Sequence, residues 1–209
     1  IPMEQISKGN GESCVLSAYS SSVINLSNHF TTSLGITAQY FTLNKNWTVE
    51  PRAALKWTFN PKHALALAYG LHSRRERLDY YFVEQEVNGK TESNRYLNFS
   101  KAHHFGLTYD WNINSYMHLK VEPYYQYLFR IPVEENSSFS IINHQSFYLE
   151  RILKNRGSGV NYGIDITLEQ YMKNGFYYMI TASLFKSRYK AGDHIWRNTR
   201  SVSYTHLTL

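Results

Sequence analysis

The stretch MHLKVEPYYQYLF, residues 117–129, alternates almost without fault. Met117, Leu119, Val121, Tyr125, Tyr127 and Phe129 share one parity, while His118, Lys120, Glu122, Tyr124 and Gln126 share the other. Side chains along a strand point to opposite faces in turn, so this segment is a strand with one apolar and one polar face. Period 2 does not say what each face meets. In a soluble sandwich the apolar face meets a protein core. In a membrane barrel it meets lipid, and the polar face meets the lumen.

The same rhythm recurs along the chain. Val49, Ala53, Leu55, Trp57 and Phe59 oppose Glu50, Arg52, Lys56 and Thr58. Leu65, Leu67, Tyr69 and Leu71 oppose a row of alanines, Gly70 and His72. His103, Phe105, Leu107, Tyr109 and Trp111 oppose His104, Gly106, Thr108 and Asp110. Val160, Tyr162, Ile164, Ile166 and Leu168 oppose Asn161, Gly163, Asp165, Thr167 and Glu169. Phe176, Tyr178, Ile180, Ala182 and Leu184 oppose Thr181 and Ser183. Two earlier segments, 13–26 and 32–43, read as strands with poorer alternation. This gives about eight strands of ~9–14 residues, a length that suits a tilted membrane strand better than the ~5–6 residues of an ordinary one. Pro51 and Pro123 fall inside strands, where each removes a ladder hydrogen bond.

Connections come in two kinds. Tight turns are expected at 27–30, 60–62, 112–115 and 173–175, where Asn, Gly and Pro supply the backbone angles. Long connections are expected at 74–101 and 131–158, rich in charge, Asn and Ser. Tight and long alternate along the chain, apart from a short link near 44–48 in a long-loop slot. That is the layout of an up-and-down outer-membrane barrel.

The placement of aromatics bears on which face meets lipid. Trp57, Phe59, Trp111, Phe176 and Tyr178 lie beside tight turns, and Tyr69, Tyr125, Tyr127 and Tyr162 lie towards the long loops, all with apolar parity. Aliphatics fill the positions between. Two aromatic belts around an aliphatic band match the two membrane interfaces. A soluble antiparallel domain remains the rival reading of the same pattern.

Other chemistry is weighed against this frame. The chain has 209 residues and a formal net charge of +6. No run of ~18 apolar residues offers a transmembrane helix. The start, IPMEQISKGNGESC, lacks the basic and apolar regions of a secretory signal, and we expect an upstream part. The single Cys14 rules out an internal disulfide framework. Ser100, His104 and Asp110 share a parity, but they sit too far apart on one strand for a triad, so no catalytic residue and no enzyme activity are expected. His103 and His104 point to opposite faces and do not share an ion. No metal site or cofactor is expected. Nucleic acid is not an expected partner, since cations and strand aromatics lie on opposite parities. The basic clusters Arg74, Arg75, Arg77 and Lys186, Arg188, Lys190 have two readings: a solvated rim, or contact with lipopolysaccharide phosphates or an anionic substrate. Arg52, Lys56, Lys120, Glu122, Asp165 and Glu169, on the polar face, either pair across strands or dock another domain in the lumen.

The segments VEPRAAL, LNFSKAHHFGLTYDW, HLKVEPYYQYLFRIPV and NYGIDITLEQYMKNGFYYMITASLFKSRYK, with IWRNTR beyond, resemble the late barrel strands of TonB-dependent outer-membrane receptors, Bacteroidetes type. The resemblance spans about residues 32–200. It implies an all-β, antiparallel up-and-down barrel of about 22 strands, of which this chain is a fragment. It further implies an N-terminal plug and a TonB box, both outside this chain, and uptake of a scarce nutrient such as a siderophore, cobalamin or glycan. Implied partners are outer-membrane lipid and lipopolysaccharide, the TonB complex through the upstream part, and a surface lipoprotein. Localisation is then the outer membrane of a Gram-negative bacterium. A passive porin-like barrel and a soluble all-β binding module are the alternatives. The long loop at 74–101 offers Arg74, Arg75, Arg77, Tyr80 and Tyr81 as substrate contacts, cations for an anionic group and rings for stacking; the alternative is a solvated loop whose aromatics pack on its neighbours. Residues 1–200 are read as one partial barrel, and SVSYTHLTL at 201–209 as a tail apart from it.

Overall fold

The structure, a computed structural model, describes residues 13–87, 89–144, 146 and 148–200. The tail at 201–209 lies outside the described residues. Eight long strands run antiparallel: β1 (Val15–Asn25), β2 (Phe30–Phe41), β3 (Asn46–Asn60), β4 (His63–Arg74), β7 (Ser100–Asn114), β8 (Met117–Val133), β9 (Lys154–Lys173) and β10 (Phe176–Lys190). A small hairpin, β5 (Glu84–Val87) and β6 (Lys90–Ser93), stands apart between β4 and β7. A short strand, β11 (Trp196–Asn198), pairs with the end of β10 and makes a ninth member of the sheet. Each long strand pairs with its neighbours in chain order, and the sheet stays open, with β1 paired only to β2. This is an up-and-down barrel wall that does not close.

The two ends of the sheet differ as the sequence predicts. Residues 26–29, 61–62, 115–116 and 174–175 form tight turns at one end. Residues 42–45, 75–99, 134–153 and 191–195 connect strands at the other. One turn, expected at 112–115, begins three residues later. The β7–β8 ladder slips after Asn112, leaving Ile113 as an extra residue, and Asn114 closes the turn by accepting from the Tyr116 N–H at 2.9 Å. The long connections are also shorter than expected, because β8 and β9 pair up to Val133 and Lys154. A bulge centred on Arg130 (φ 55°) lets the ladder continue past Phe129.

Both prolines are accommodated by gaps in pairing. Pro51 pairs with Ile36 of β2, but the β3–β4 ladder begins only at Arg52. Pro123 pairs with Ile164 of β9, while the β7–β8 ladder skips its position and the preceding Glu122. The missing donor therefore costs pairing on one side of each strand only.

Register confirms the two faces. Leu55 stands opposite Leu67, Leu67 opposite Leu107, Val121 opposite Ile166, and Ile164 opposite Leu184. Among the described residues nothing covers this row: Leu67 is 59% exposed, Leu184 57% and Phe105 46%. Burying one Leu or Phe gains about 1.5–3 kcal/mol. Whole domains are stable by only about 5–15 kcal/mol, so a wall of bare Leu, Ile and Phe facing water is untenable. The compact core lies elsewhere. Phe41, Tyr80, Tyr81, Val83, Leu97, Phe99, Leu149 and Leu153 bury one another at the long-loop end.

Candidate functional site

The polar face carries the charges predicted for it. The register places Arg52, Lys56, Lys120, Glu122, Asp165 and Glu169 on one side of the sheet. Their pairing is not the simple cross-strand exchange of opposite charges. Lys120 bonds Glu122 of its own strand at 2.8 Å, and Arg52 lies 3.6 Å from the buried Glu50 of its own strand. Glu50 also accepts from Gln39 at 2.8 Å and from Ser73. Glu122 and Asp165 stand directly opposite each other across β8 and β9. Like charges so placed repel. Lys120 answers one of them, and the Ser183 hydroxyl donates to the other. Glu169 accepts from the Tyr177 hydroxyl at 3.4 Å, and Lys56 makes no ion pair among the described residues.

Between these charges the wall is thin. The rows Ser33–Ala54–Ala68–Gly106 and Gly35–Arg52–Gly70–His104 run across four strands, and a concavity of about 790 Å³ lies over them. Arg52, His72, His104, Tyr124 and Gln126 rim it. A Cβ on Gly70 would lie 2.6 Å from Nε2 of His72, so only glycine lets that imidazole fold back. It rests against His104 with ring centroids 4.5 Å apart. Gly163 does the same for Tyr124, whose hydroxyl would lie 2.9 Å from an added Cβ. The sequence places His104 on this face but does not bring it to His72, which precedes a connection of some 25 residues. Ser100, His104 and Asp110 have separate partners. The Ser100 hydroxyl donates to Glu76 at 2.6 Å, His104 meets His72, and Asp110 meets His118 at 3.1 Å. On the other face, His103 bonds the Tyr69 hydroxyl at 3.0 Å and stacks on Phe129. Among the described residues no three His, Cys, Asp or Glu side chains gather around one point.

The loops at the long-connection end form a single packed body. The side chain of buried Asn94 donates to the Arg151 carbonyl at 2.9 Å and accepts from the Leu153 N–H at 2.7 Å. Asn155 accepts from the Asn98 N–H and donates to the carbonyls of Asn98 and Arg130. Glu134 holds Arg151, and Glu135 holds Lys154 and Arg156, both at 2.6 Å. The hydrogen bond from Lys154 keeps the Glu135 carboxyl below its ordinary range.

The five loop residues singled out by sequence divide into two groups. Tyr80 and Tyr81 are buried within a 3-10 turn at Leu78–Phe82. Tyr81 meets Phe41 edge-on at 5.2 Å, and burial pushes both phenols up. Their rings pack the loop core and present no free face for stacking. Arg74 is 80% exposed and lies 3.6 Å from the buried Glu76. Arg75 lies over the Phe41 ring at 5.8 Å. Arg77 bonds both oxygens of Asp79 at 3.1 Å and covers Tyr80. Arg75 and Arg77 thus sit on the surface of a core whose rings hold them in place, and Arg74 lies beside Glu76.

No family model and no curated protein matches the sequence. Solved structures do match in shape. The FrpB iron transporter of Neisseria meningitidis (F3-3 variant) aligns with TM-score 0.63 and 13% identity, over 88% of this chain and 27% of that one. The ferric-catecholate import receptor Fiu of E. coli K12, in its closed form, aligns with TM-score 0.64 and 9% identity, over 86% and 28%. The RagAB peptide importer aligns with TM-score 0.61 and 14% identity, over 84% and 22%. The chain therefore spans about a quarter of the length of the solved structures it matches. What the chain shares with these structures is the fold alone, that of an antiparallel wall making up part of each.

Proposed function

We propose that this chain is part of the barrel of a TonB-dependent receptor that takes up a scarce nutrient across the outer membrane. The observation that carries the reading is the bare apolar face. It needs lipid, and it belongs to an open wall with tight turns at one end and a packed loop body at the other. The solved structures of similar shape include an iron transporter, a ferric-catecholate receptor and a peptide importer, which supports import as the task. The sequence resemblance points to the Bacteroidetes type. Siderophore, cobalamin and glycan are the cargo classes we consider.

In this reading the polar face lines the lumen. The thin trough between Arg52, His104 and Tyr124 receives a plug from the upstream part, which also reaches the TonB complex. The loop body, with Arg74, Arg75 and Arg77 on its surface, faces the cell exterior, where a surface lipoprotein would sit. The test is uptake by cells carrying the full-length gene. Membrane-bound protein and uptake that stops when TonB is removed are expected. Uptake that continues without TonB would make the protein a passive pore, and a product soluble without detergent would make it a binding module.

A further inference from the structure

The outer face of β10 changes character within two residues. Tyr178, Ile180, Ala182 and Leu184 share its apolar side, and the same side continues as Lys186, Arg188 and Lys190. Lys190 stands opposite Trp196 of β11, and Arg188 and Lys190 each lie 5.7 Å from the centre of that ring. A cation within about 6 Å of an indole face is held by it, so Trp196 fixes two of the three charges on the outer surface. On the neighbouring strand, Tyr162 stands opposite Lys186, so here cations and aromatics share a face, contrary to the opposite parities expected from the sequence.

The change falls at a meaningful height. Leu184 lies about nine residues beyond the 174–175 turn and Lys186 about eleven. A strand tilted by ~40° rises about 2.5 Å per residue along the membrane normal. The two positions are then about 23 and 28 Å above the turn. The apolar band of an outer-membrane barrel is about 25 Å tall, so the cations begin where hydrocarbon gives way to headgroups. Nearby acids are already engaged: Glu134 by Arg151, Glu135 by Lys154 and Arg156, and Asp193 by Arg197. Among the described residues none of the three β10 cations has a carboxylate partner.

We propose that Lys186, Arg188 and Lys190, steadied by Trp196, form a docking site for the phosphate groups of a phosphorylated glycolipid in the outer leaflet. The inference rests on the barrel reading above and assigns it a specific lipid contact. Acyl chains lie along Leu184 and the aliphatic row below, while the phosphates meet the three cations. A free anion would have no use for that apolar row.

The test uses the full-length receptor purified from outer membranes. Its binding to bisphosphorylated lipid A micelles is compared with binding to the dephosphorylated lipid. The triple variant K186Q/R188Q/K190Q is set beside K62Q/K90Q/K173Q, which removes the same charge elsewhere. At about fivefold per cation near a charged surface, the first variant should lose more than about tenfold of the preference for the phosphorylated lipid. The second should keep it, and W196A should lose an intermediate amount. Equal preference in wild type and the first triple variant overturns the proposal, as does an equal loss in the control. Displacement by inorganic phosphate at the same phosphate concentration assigns the site to a free anion and overturns the lipid. Heat-modifiable gel mobility reports the barrel separately. Its absence in wild type would remove the underlying reading, whereas its presence in every variant isolates the lipid site.

Discussion

Leu67→Arg tests which side of the wall meets hydrocarbon. Leu67 lies about five residues above the 61–62 turn, which at ~2.5 Å per residue puts it about 13 Å up, near the middle of a ~25 Å apolar band. Its face-sharing neighbours are Leu55 and Leu107, and its side chain is 59% exposed with no protein cover. An Arg at a bilayer midplane costs about 2–4 kcal/mol, a factor of roughly 30–900 in the folded population. The companion change is Thr108→Arg, on the opposite face. Thr108 bonds Glu122 at 3.3 Å, so an Arg there gains a carboxylate partner. It should cost less than about 1 kcal/mol. Both are read in the full-length receptor by urea titration of heat-modifiable mobility in bilayers. A neutral Leu67→Arg beside a costly Thr108→Arg would mean the faces are reversed. Two neutral changes would mean that water, not lipid, meets the apolar row.

Three other outcomes are expected. Epitope tags in 75–99 and 134–153 should be labelled on intact cells, while tags at 61–62, 115–116 and 174–175 should need permeabilisation; labelling at 115–116 on intact cells would reject the topology. Replacing Arg74, Arg75 and Arg77 with Ala should weaken uptake of an anionic cargo, more so at low salt, with gel mobility unchanged; unaltered affinity would remove this surface from cargo binding. Because the Glu135 carboxyl is held below its ordinary range, its ion pairs stabilise the loop body above that range and lose this contribution as pH falls through the lowered value. Proteolytic nicking at 134–153 should therefore rise below about pH 4, and Glu135→Gln should flatten that rise.

Features with a local cause were legible in the sequence. Strand faces follow from period 2, so the register of Leu67 with Leu107 and of Val121 with Ile166 could be anticipated as shared faces. Turns follow from local chemistry, and the one misplaced turn comes from a bulge at Ile113 that alternation does not reveal. Long-range packing was not legible. Phe41 meets Tyr81, and Asn94 meets Leu153, across distances in sequence that carry no periodic signal. Hence sequence left Tyr80 and Tyr81 open between ligand stacking and loop packing, and they fill a core. The His72–His104 contact was hidden for the same reason, and β11 because three residues are too few to show a pattern. The facing of Glu122 and Asp165 depends on strand register, which parity alone leaves open.

The open margins of the sheet set how such a wall enters a membrane. Along β1, 11 residues long and paired on one side, about half of the peptide groups face away from β2. Each N–H or C=O left without a partner in hydrocarbon costs several kcal/mol, so about ten of them outweigh the whole stability of an ordinary domain. No intermediate with a bare margin is tolerable inside the bilayer. Insertion must be cooperative, with every strand committed together or the margin shielded until the last one joins. In the barrel proposed above, stability in the membrane is then a property of the whole ring and cannot be divided among its strands.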